Sequence, residues 1–380
     1  MQKSAILTAA VLSLCTGTSA ASSAVAFLCN AAHTGVCGAT ALSPKPKPLW
    51  RFFTDRLNRS TPAYANGVVY VGSNNGRLYA LDANTGRPRW SFKAHEPVSS
   101  SPAIAGGAVY FADDRMVYAL DRSSGKVLWS YRFGADVPHP GHQWDFLQSS
   151  PTIVRDRLYI GSGDGRLYAF DRTGGRMLWS YATSGRVRST PAYSAGVVYA
   201  GSFDGAMYAV SAESGHLLWR FKTKGNADFP LGEIQSSPTL DGDFVFFGSR
   251  DGTLYALDRR SGKTRWTIDE NGSWVISTAA VRRGIVYYGT SDNDTVRAVR
   301  ERDGRPIWKF AAGGRVWSSP VLVGKAIFFG IGNGEVEWLD AATAKLLGYA
   351  DSEGTIYSSV TVADGTVFYT SDDGYVYAVR

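Results

Sequence analysis

The chain has 380 residues, 44% of them hydrophobic, and its 40 lysine and arginine residues outnumber 33 acidic ones, for a formal net charge of +7. This length fits one or two ordinary domains. The sequence contains no basic run, and this absence argues against a nucleic-acid partner despite the positive net charge. The charge is compatible with attraction to anionic lipids or acidic polymers, or simply with a solvated surface.

The first 26 residues follow the pattern of a secretory signal peptide, with a lysine near the start, an apolar run to Leu14 and then small residues. The run is too short to span a membrane. Cleavage is predicted after Ala20 or Ala26, which places the protein in the periplasm. The alternative is an outer-membrane lipoprotein attached through Cys15, although the bulky Leu14 stands where lipidation signals have a small residue.

Residues 27–49 are predicted to form an N-terminal tail and a linker rich in proline and lysine. The composition of the linker is that of an extended spacer that leads to Trp50. Once a signal peptide is removed, Cys29 and Cys37 remain as an even pair in an exported chain. They are predicted to form a disulfide, and two free thiols in a flexible tail are the alternative.

From residue 50 to residue 380 the chain repeats a unit of about 40 residues, a period typical of propellers and helical arrays. Within each unit, short runs of alternating apolar residues are separated by Asn-Gly or Asp-Gly pairs. This pattern indicates strands joined by tight hairpins. The units align on a tryptophan, which stands at Trp50, Trp90, Trp129, Trp179, Trp219, Trp266 and Trp308.

Each unit offers four short strands, and the units begin with eight Ser/Thr-rich strands. The sequence therefore predicts an all-β protein, an eight-bladed β-propeller of four-stranded blades. The last unit stops after its third strand, whereas a surplus tryptophan strand at 50–53 begins the domain. We expect this N-terminal strand to complete the C-terminal blade, which removes open sheet edges. Gly348 stands where an eighth tryptophan would, so the seam between blades seven and eight is predicted to be the loosest.

The segment Ala80–Trp90 reads Ala-Leu-Asp-Ala-Asn-Thr-Gly-Arg-Pro-Arg-Trp and resembles the repeat of pyrroloquinoline-quinone (PQQ) type propellers. The resemblance covers nearly the whole chain after residue 49. The family includes the BamB outer-membrane assembly lipoproteins, with a similar single ring, and the larger quinoprotein dehydrogenases. The motif is informative about fold and much less so about function. The adjacent cysteine pair of the quinoproteins is absent from this sequence, as is Cys-x-x-Cys-His, so the repeat does not by itself imply the cofactor.

Two units are longer than the others, and their extra residues fall between blades, at 136–146 and 225–235. Loops between blades share a face with the Asp-Gly hairpins, and insertions in such loops usually carry function. The short loop between the two long ones contains Arg186 and Arg188. The sequence therefore predicts a basic notch between two tall loops.

The first long loop contains His139, His142 and Asp145, whose spacing suits a metal ion, with help from Asp228 or Glu233 of the second loop. A proline-stiffened loop with solvated histidines explains the same residues without a ligand. We adopt this second interpretation and predict no metal site. No nucleophile motif is present either, so no catalytic residue is predicted.

A mixed polar and aromatic ring is predicted at the mouth of the channel, from the residue that precedes each Ser-Ser/Thr-Pro triplet. A water-filled channel without a ligand is the alternative. Three tryptophans that fall outside the period are predicted to be aromatic anchors on the loop face. The predicted ligand- or partner-binding residues are His139, His142, Trp144, Asp145, Gln148, Arg186, Arg188, Asp228, Glu233, Gln235, Trp274, Trp317 and Tyr357.

These features, with the resemblance to BamB, predict a monomeric exported propeller that is not an enzyme, needs no cofactor and binds an envelope protein or polymer through its loop face. Peripheral contact with an anionic membrane or polymer is compatible with this interpretation, and nucleic acid is not. The alternative is a quinoprotein-like propeller with redox activity that holds PQQ, or another flat ligand, near Trp317 and Arg188.

Overall fold

The computed structural model describes residues 27–37, 46–138, 145 and 147–380. Eight antiparallel sheets surround a central channel, and each contains four strands of the repeat. This arrangement confirms the predicted eight-bladed propeller. Within the described ranges, no helix has the length and apolar character that crossing a membrane would require.

The N-terminal segment contains a short 3-10 helix, Phe27–Cys29, and the strand β1, Val36–Cys37. The strand β2 is Pro48–Phe53. Blade one contains β3 to β6, at Ala63–Ala65, Val68–Ser73, Arg77–Asp82 and Pro88–Lys93. Blade two contains β7 to β10, at Ala103–Ala105, Ala108–Ala112, Met116–Asp121 and Val127–Arg132. Blade three contains β11 to β14, at Thr152–Val154, Arg157–Gly161, Arg166–Asp171 and Met177–Ala182. Blade four contains β15 to β18, at Ala192–Ser194, Val197–Gly201, Ala206–Ser211 and Leu217–Lys222.

Blade five contains β19 to β22, at Thr239–Asp241, Phe244–Gly248, Thr253–Asp258 and Thr264–Asp269. Blade six contains β23 to β26, at Ala280–Arg282, Ile285–Gly289, Thr295–Arg300 and Pro306–Ala311. Blade seven contains β27 to β30, at Val321–Val323, Ala326–Gly330, Glu335–Asp340 and Leu346–Asp351. Blade eight contains β31 to β33, at Thr361–Ala363, Thr366–Thr370 and Tyr375–Val379, together with β2.

The repeated motif shapes the outer half of each blade. In blade one, the Asp82 carboxylate accepts hydrogen bonds at 3.1 Å from the N–H groups of Asn84 and Thr85, which holds the turn between β5 and β6. Trp90 lies directly across the sheet from Ala80, and the register shifts at the next residue. The small alanine side chain leaves room on this part of the sheet for the indole.

Seven tryptophans each dock one blade onto the next, at every seam except the one between blades seven and eight. Each indole N–H donates to a backbone carbonyl in the outer turn of the following blade, at 2.8–3.1 Å. In six of the seven pairs the ring packs under a glycine of that turn, so closely that a Cβ on Gly215 would lie 2.7 Å from the Trp179 ring. The indole–carbonyl pairs are Trp50–Ala83, Trp90–Arg122, Trp129–Arg172, Trp179–Ala212, Trp219–Arg259, Trp266–Glu301 and Trp308–Ala341.

The ring closes as predicted, because β2 pairs antiparallel with β33 and forms the outer strand of blade eight. Trp50 lies opposite Ala378 in this pairing. At the neighbouring seam, Gly348 lies opposite Trp338 in blade seven. A groove of about 680 Å³ runs between blades seven and eight, with Tyr349 among the residues that line it. The groove therefore lies at the seam where the docking tryptophan is missing.

A second set of contacts joins the blades around the channel, through a pair of consecutive hydroxyl residues that precedes the first strand of each blade. The first hydroxyl bonds within its own blade, as where Ser189 Oγ accepts the N–H of Gly201 at 2.8 Å. The second accepts a backbone N–H from the equivalent residue of the preceding blade. Eight such hydrogen bonds of 2.8–3.2 Å form a closed circle. The circle, which we call the hydroxyl ring, consists of Thr61, Ser101, Ser150, Thr190, Ser237, Thr278, Ser319 and Ser359.

Residues 27–37, which the sequence assigned to a tail, pack against the innermost strands of the ring. β1 runs parallel to β27, and Cys29 and Cys37 form a disulfide. His33 is fully buried, with Nδ1 3.0 Å from the Pro238 carbonyl, and burial lowers the pKa of His33 to about 4. Carbonyl groups of the segment accept N–H groups from blades four to seven, in the pairs Ala31–Tyr193, Ala32–Leu240, Thr34–Val281 and Gly35–Leu322.

The outer turns offer a matched pair of substitutions. Gly215→Ala should lower stability by about 2–4 kcal/mol, because a side chain at φ 73° is strained and its Cβ would press on Trp179. Ala344 occupies the same turn position in blade seven, at φ 60°. Relief of that strain by Ala344→Gly should raise stability by about 1 kcal/mol. Urea unfolding of both variants measures the two effects, and shifts in the same direction would contradict this account of the turn.

Candidate functional site

The eight residues that precede the hydroxyl pairs of the blades line one cavity at the mouth of the channel, which we call the channel cavity. Its volume is about 50 Å³, enough for a few water molecules at about 10–15 Å³ each. Phe27 of the N-terminal segment also lines it. The eight residues are Arg59, Ser99, Gln148, Arg188, Gln235, Ile276, Trp317 and Tyr357.

An aromatic stack forms one side of this mouth. The rings of Trp317 and Tyr357 lie face to face, with centroids 4.6 Å apart and an angle of 4° between the planes. The Arg59 guanidinium covers the outer face of Tyr357 at 4.4 Å, and Arg315 lies 5.4 Å from the Trp317 ring. Arg59 also pairs with Asp372 at 2.7 Å. The two rings thus stack on each other and contact neighbouring guanidinium groups.

Because the family also includes quinoproteins, PQQ is the cofactor to compare with the residues at the mouth. The channel cavity has room for only a few waters, whereas PQQ is a rigid tricyclic quinone. The Trp317 and Tyr357 rings are stacked on each other and leave no space for a flat ring between them. The residues at the mouth, in this arrangement, do not fit the cofactor. We derive no chemistry that involves it.

Asp145 joins the two arginines of the short loop into a buried ion-pair network. Its carboxylate accepts from Arg186, and from Arg188 Nε and Nη2 at 2.9 Å each. Arg188 also pairs with Asp114 at 3.1 Å and with Asp136 at 3.3 Å. Burial by itself would raise the pKa of Asp145, but the two guanidinium groups outweigh it and lower that pKa. At Asp136 burial prevails over the same arginines and raises the pKa.

This network changes the interpretation of the notch. Arg186 and Arg188 are only 9% and 7% exposed, and carboxylates of the same chain neutralise them. The two arginines therefore do not form a free basic surface at this point, and any part that they play in binding stays a prediction. Both oxygens of Asp145 are engaged by arginine, and no cluster of ligand residues able to hold a metal ion occurs within the described residues. His139, His142 and Trp144 lie outside those residues.

Gln148 clamps two blades together at the channel mouth. Its side-chain carbonyl accepts the N–H groups of Ser99 and Ser100 at 3.0 and 3.1 Å, and its amide nitrogen donates to the Pro97 carbonyl at 3.1 Å. All of these partners are backbone groups of the loop between blades one and two. Gln148 thus has a structural role in the ring, besides lining the channel cavity.

The second long loop is built around Arg250, a residue that the sequence did not single out. Its guanidinium, 1% exposed, bonds Gln235 Oε1 at 2.8 Å and Glu233 Oε2 at 3.2 Å. Aromatic rings surround it, with Phe203, Trp274 and Phe229 at 4.8, 5.5 and 5.8 Å. Burial lowers the pKa of Arg250, although the negative charge of the adjacent Glu233 opposes this shift. The available sequence signal was a charged residue directly before the Asp251-Gly252 hairpin.

The top of this loop points to solvent. Asp228 and Pro230 are exposed, and Leu231 is 47% exposed. Phe229 beneath them packs edge to face on Trp274, at 4.9 Å between centroids. The structure thus brings Glu233, Gln235 and Trp274 together beneath the loop, whereas Asp228 lies on its surface.

Comparison with known proteins places this chain in a family. A family model described as the outer membrane protein assembly factor BamB matches residues 39–139, 117–238 and 231–380. A 135-residue stretch is 29% identical to the dehydrogenase subunit of a quinone-dependent alcohol dehydrogenase from Gluconobacter oxydans (strain 621H). That match covers 31% of this chain and 18% of the relative, so the chain spans only a small part of the relative's length.

Solved structures share the fold. BamB from Moraxella catarrhalis superposes with a TM-score of 0.70 at 20% identity, over 88% of this chain and 97% of that one. A europium-containing methanol dehydrogenase superposes with a TM-score of 0.77 at 14% identity, over 94% of this chain and 97% of that one. At such identities the similarity shows the fold alone, and BamB and a methanol dehydrogenase share that fold.

The Asp145 network predicts a stability effect. Arg188→Ala should lower the free energy of unfolding by about 3 kcal/mol, because it leaves buried carboxylates with one partner fewer. Arg260, whose side chain is 83% exposed on the opposite face, provides the control, and Arg260→Ala should change stability by less than about 0.5 kcal/mol. Chemical denaturation measures both. Equal effects would mean that the network contributes nothing to stability.

Proposed function

This chain belongs to the family of the outer membrane protein assembly factor BamB, and we propose that it is an exported, non-enzymatic scaffold that binds an envelope protein or polymer through its loop face. The loop face is the side of the ring that bears the Asp-Gly hairpins and the loops between blades. The family name makes a component of outer-membrane protein assembly the first partner to consider.

The observation that carries this proposal is the ordered loop at 225–235. Asn226 N–H donates to the Phe229 carbonyl at 3.0 Å, and Phe229 N–H donates back to the Asn226 side chain at 2.7 Å. Lys222 Nζ and Thr223 Oγ1 tie the base of the loop to the carbonyls of Leu231 and Gly232 at 2.9 and 2.8 Å. A loop that is ordered before binding loses little entropy on binding, which favours its use as a partner surface.

The chemistry of the loop top also suits a protein partner. Leu231 offers exposed apolar surface, next to the acidic Asp228 and above the packed rings of Phe229 and Trp274. An apolar centre with polar neighbours over a rigid aromatic base is typical of binding hot spots. The small channel cavity, by contrast, offers little to a substrate or a large ligand.

The match to a quinone-dependent alcohol dehydrogenase supports the alternative, a PQQ-binding redox propeller. That function would require the Trp317–Tyr357 stack to open and the channel cavity to widen. The scaffold function requires no rearrangement, and we favour it for that reason. Export to the periplasm, with or without a lipid at Cys15, is part of this proposal.

Site-specific photocrosslinking tests the scaffold function. Leu231 is replaced by p-benzoylphenylalanine in the native host, and Arg260 on the opposite face is replaced in the same way as a control, since both side chains are exposed. We expect position 231 to give a crosslink to one envelope component, identified by mass spectrometry, and position 260 to give none. A product from 260 alone would reverse the binding face. The absence of products from 231, with normal protein levels, would contradict a protein-binding scaffold.

A further inference from the structure

The channel cavity is lined by hydrogen-bond donors that have no acceptor. All eight members of the hydroxyl ring line it, and each is at least nine-tenths buried. Each hydroxyl oxygen accepts one backbone N–H, as described above. Among the described residues, none of the eight hydroxyl groups donates a hydrogen bond in return. Eight O–H protons at the centre of the ring therefore lack a partner within the described chain.

Two further donors belong to the same wall. Gln235 is 5% exposed, and its Nε2 has no hydrogen-bond partner in the described chain. Its Oε1 is held by Arg250 at 2.8 Å, which fixes the orientation of the amide. The indole Nε1 of Trp317 is likewise buried without a partner. Buried donors of this kind are rare in folded proteins, and an ordered water or ion is a common reason for them.

The groups that line the cavity present hydrogen-bond donors to an occupant, although carboxylates outside the lining neutralise the charge of its two arginines. Arg59 and Arg188 line it, whereas no carboxylate among the described residues does. The acidic groups that pair with these arginines, Asp372 for one and Asp145, Asp136 and Asp114 for the other, lie outside the lining. A cation would meet two guanidinium groups and two N–H donors. Water brings as many protons as lone pairs, while an anion brings only acceptors and so matches a wall of donors.

We propose that the channel cavity binds one monatomic anion of chloride size, held by the Gln235 amide, the Trp317 indole and members of the hydroxyl ring. The volume of about 50 Å³ accommodates such an ion and excludes phosphate esters and flat cofactors. The site is separate from the loop at 225–235, so it does not depend on the proposed scaffold function.

Crystals of the full protein, purified and grown in bromide, provide the direct test. An anomalous peak in the channel cavity is expected in the wild-type protein. The same peak is expected in Ile276→Val, which changes the wall without removing a donor. Gln235→Glu keeps an acceptor for Arg250 but places a carboxylate at the site, and should abolish the peak. A wild-type channel that contains water only would overturn the proposal.

Melting temperatures measured in solution test the same proposal without depending on the Gln235→Glu variant, which could fail to fold. Chloride should raise the melting temperature of the wild-type protein above its value in gluconate at equal ionic strength, because gluconate is too large to enter. Trp317→Phe keeps the stacked ring and loses only the N–H, so it should weaken the apparent chloride affinity at least threefold while Ile276→Val leaves it unchanged. Equal chloride dependence in the wild type and in Trp317→Phe would also overturn the proposal.

Discussion

The structure depends on the circle of hydrogen bonds that passes from blade to blade around the channel and returns to its start. Thr61 donates to Ser101 in blade two, and the last link, from Ser359 back to Thr61, joins residues 298 positions apart. A circle of this kind exists only if all eight blades are present in the correct order. It fixes the radius of the channel, and with it the position of every side chain at the mouth.

The indoles act at the opposite end of each blade. Inner hydroxyl links and outer indole links hold each blade at two places, so neighbouring blades cannot rotate freely against each other. The seam between blades seven and eight keeps its inner link, Ser319 to Ser359, but has Gly348 in place of the indole. A rigid ring of this kind can carry loops of any sequence, which explains why scaffolds and dehydrogenases share it.

Local sequence signals were sufficient to predict the fold. Asp-Gly pairs specify hairpins, the Asp-x-x-Thr-Gly turn supplies its own carboxylate cap, and the surplus strand at 50–53 specifies closure. The site was less predictable, because its chemistry depends on long-range pairing. Arg188 was correctly placed at the mouth, but its carboxylate partner Asp145 lies 43 positions away and is brought to it only by folding. Arg250 went unnoticed because its aromatic surroundings come from three separate loops, and the packing of residues 27–37 has no periodic signal at all.

The central claim is that the hydroxyl ring is closed and that the ring unfolds as a unit. Native-state hydrogen exchange at the backbone N–H groups of the eight ring residues measures this directly. We expect similar protection for all eight, set by global unfolding, including Ser319, whose N–H donates across the tryptophan-free seam to Ser359. Markedly faster exchange at Ser319 than at Ser150 and Thr190 would show that the seam opens locally, and would rule out unfolding as a unit.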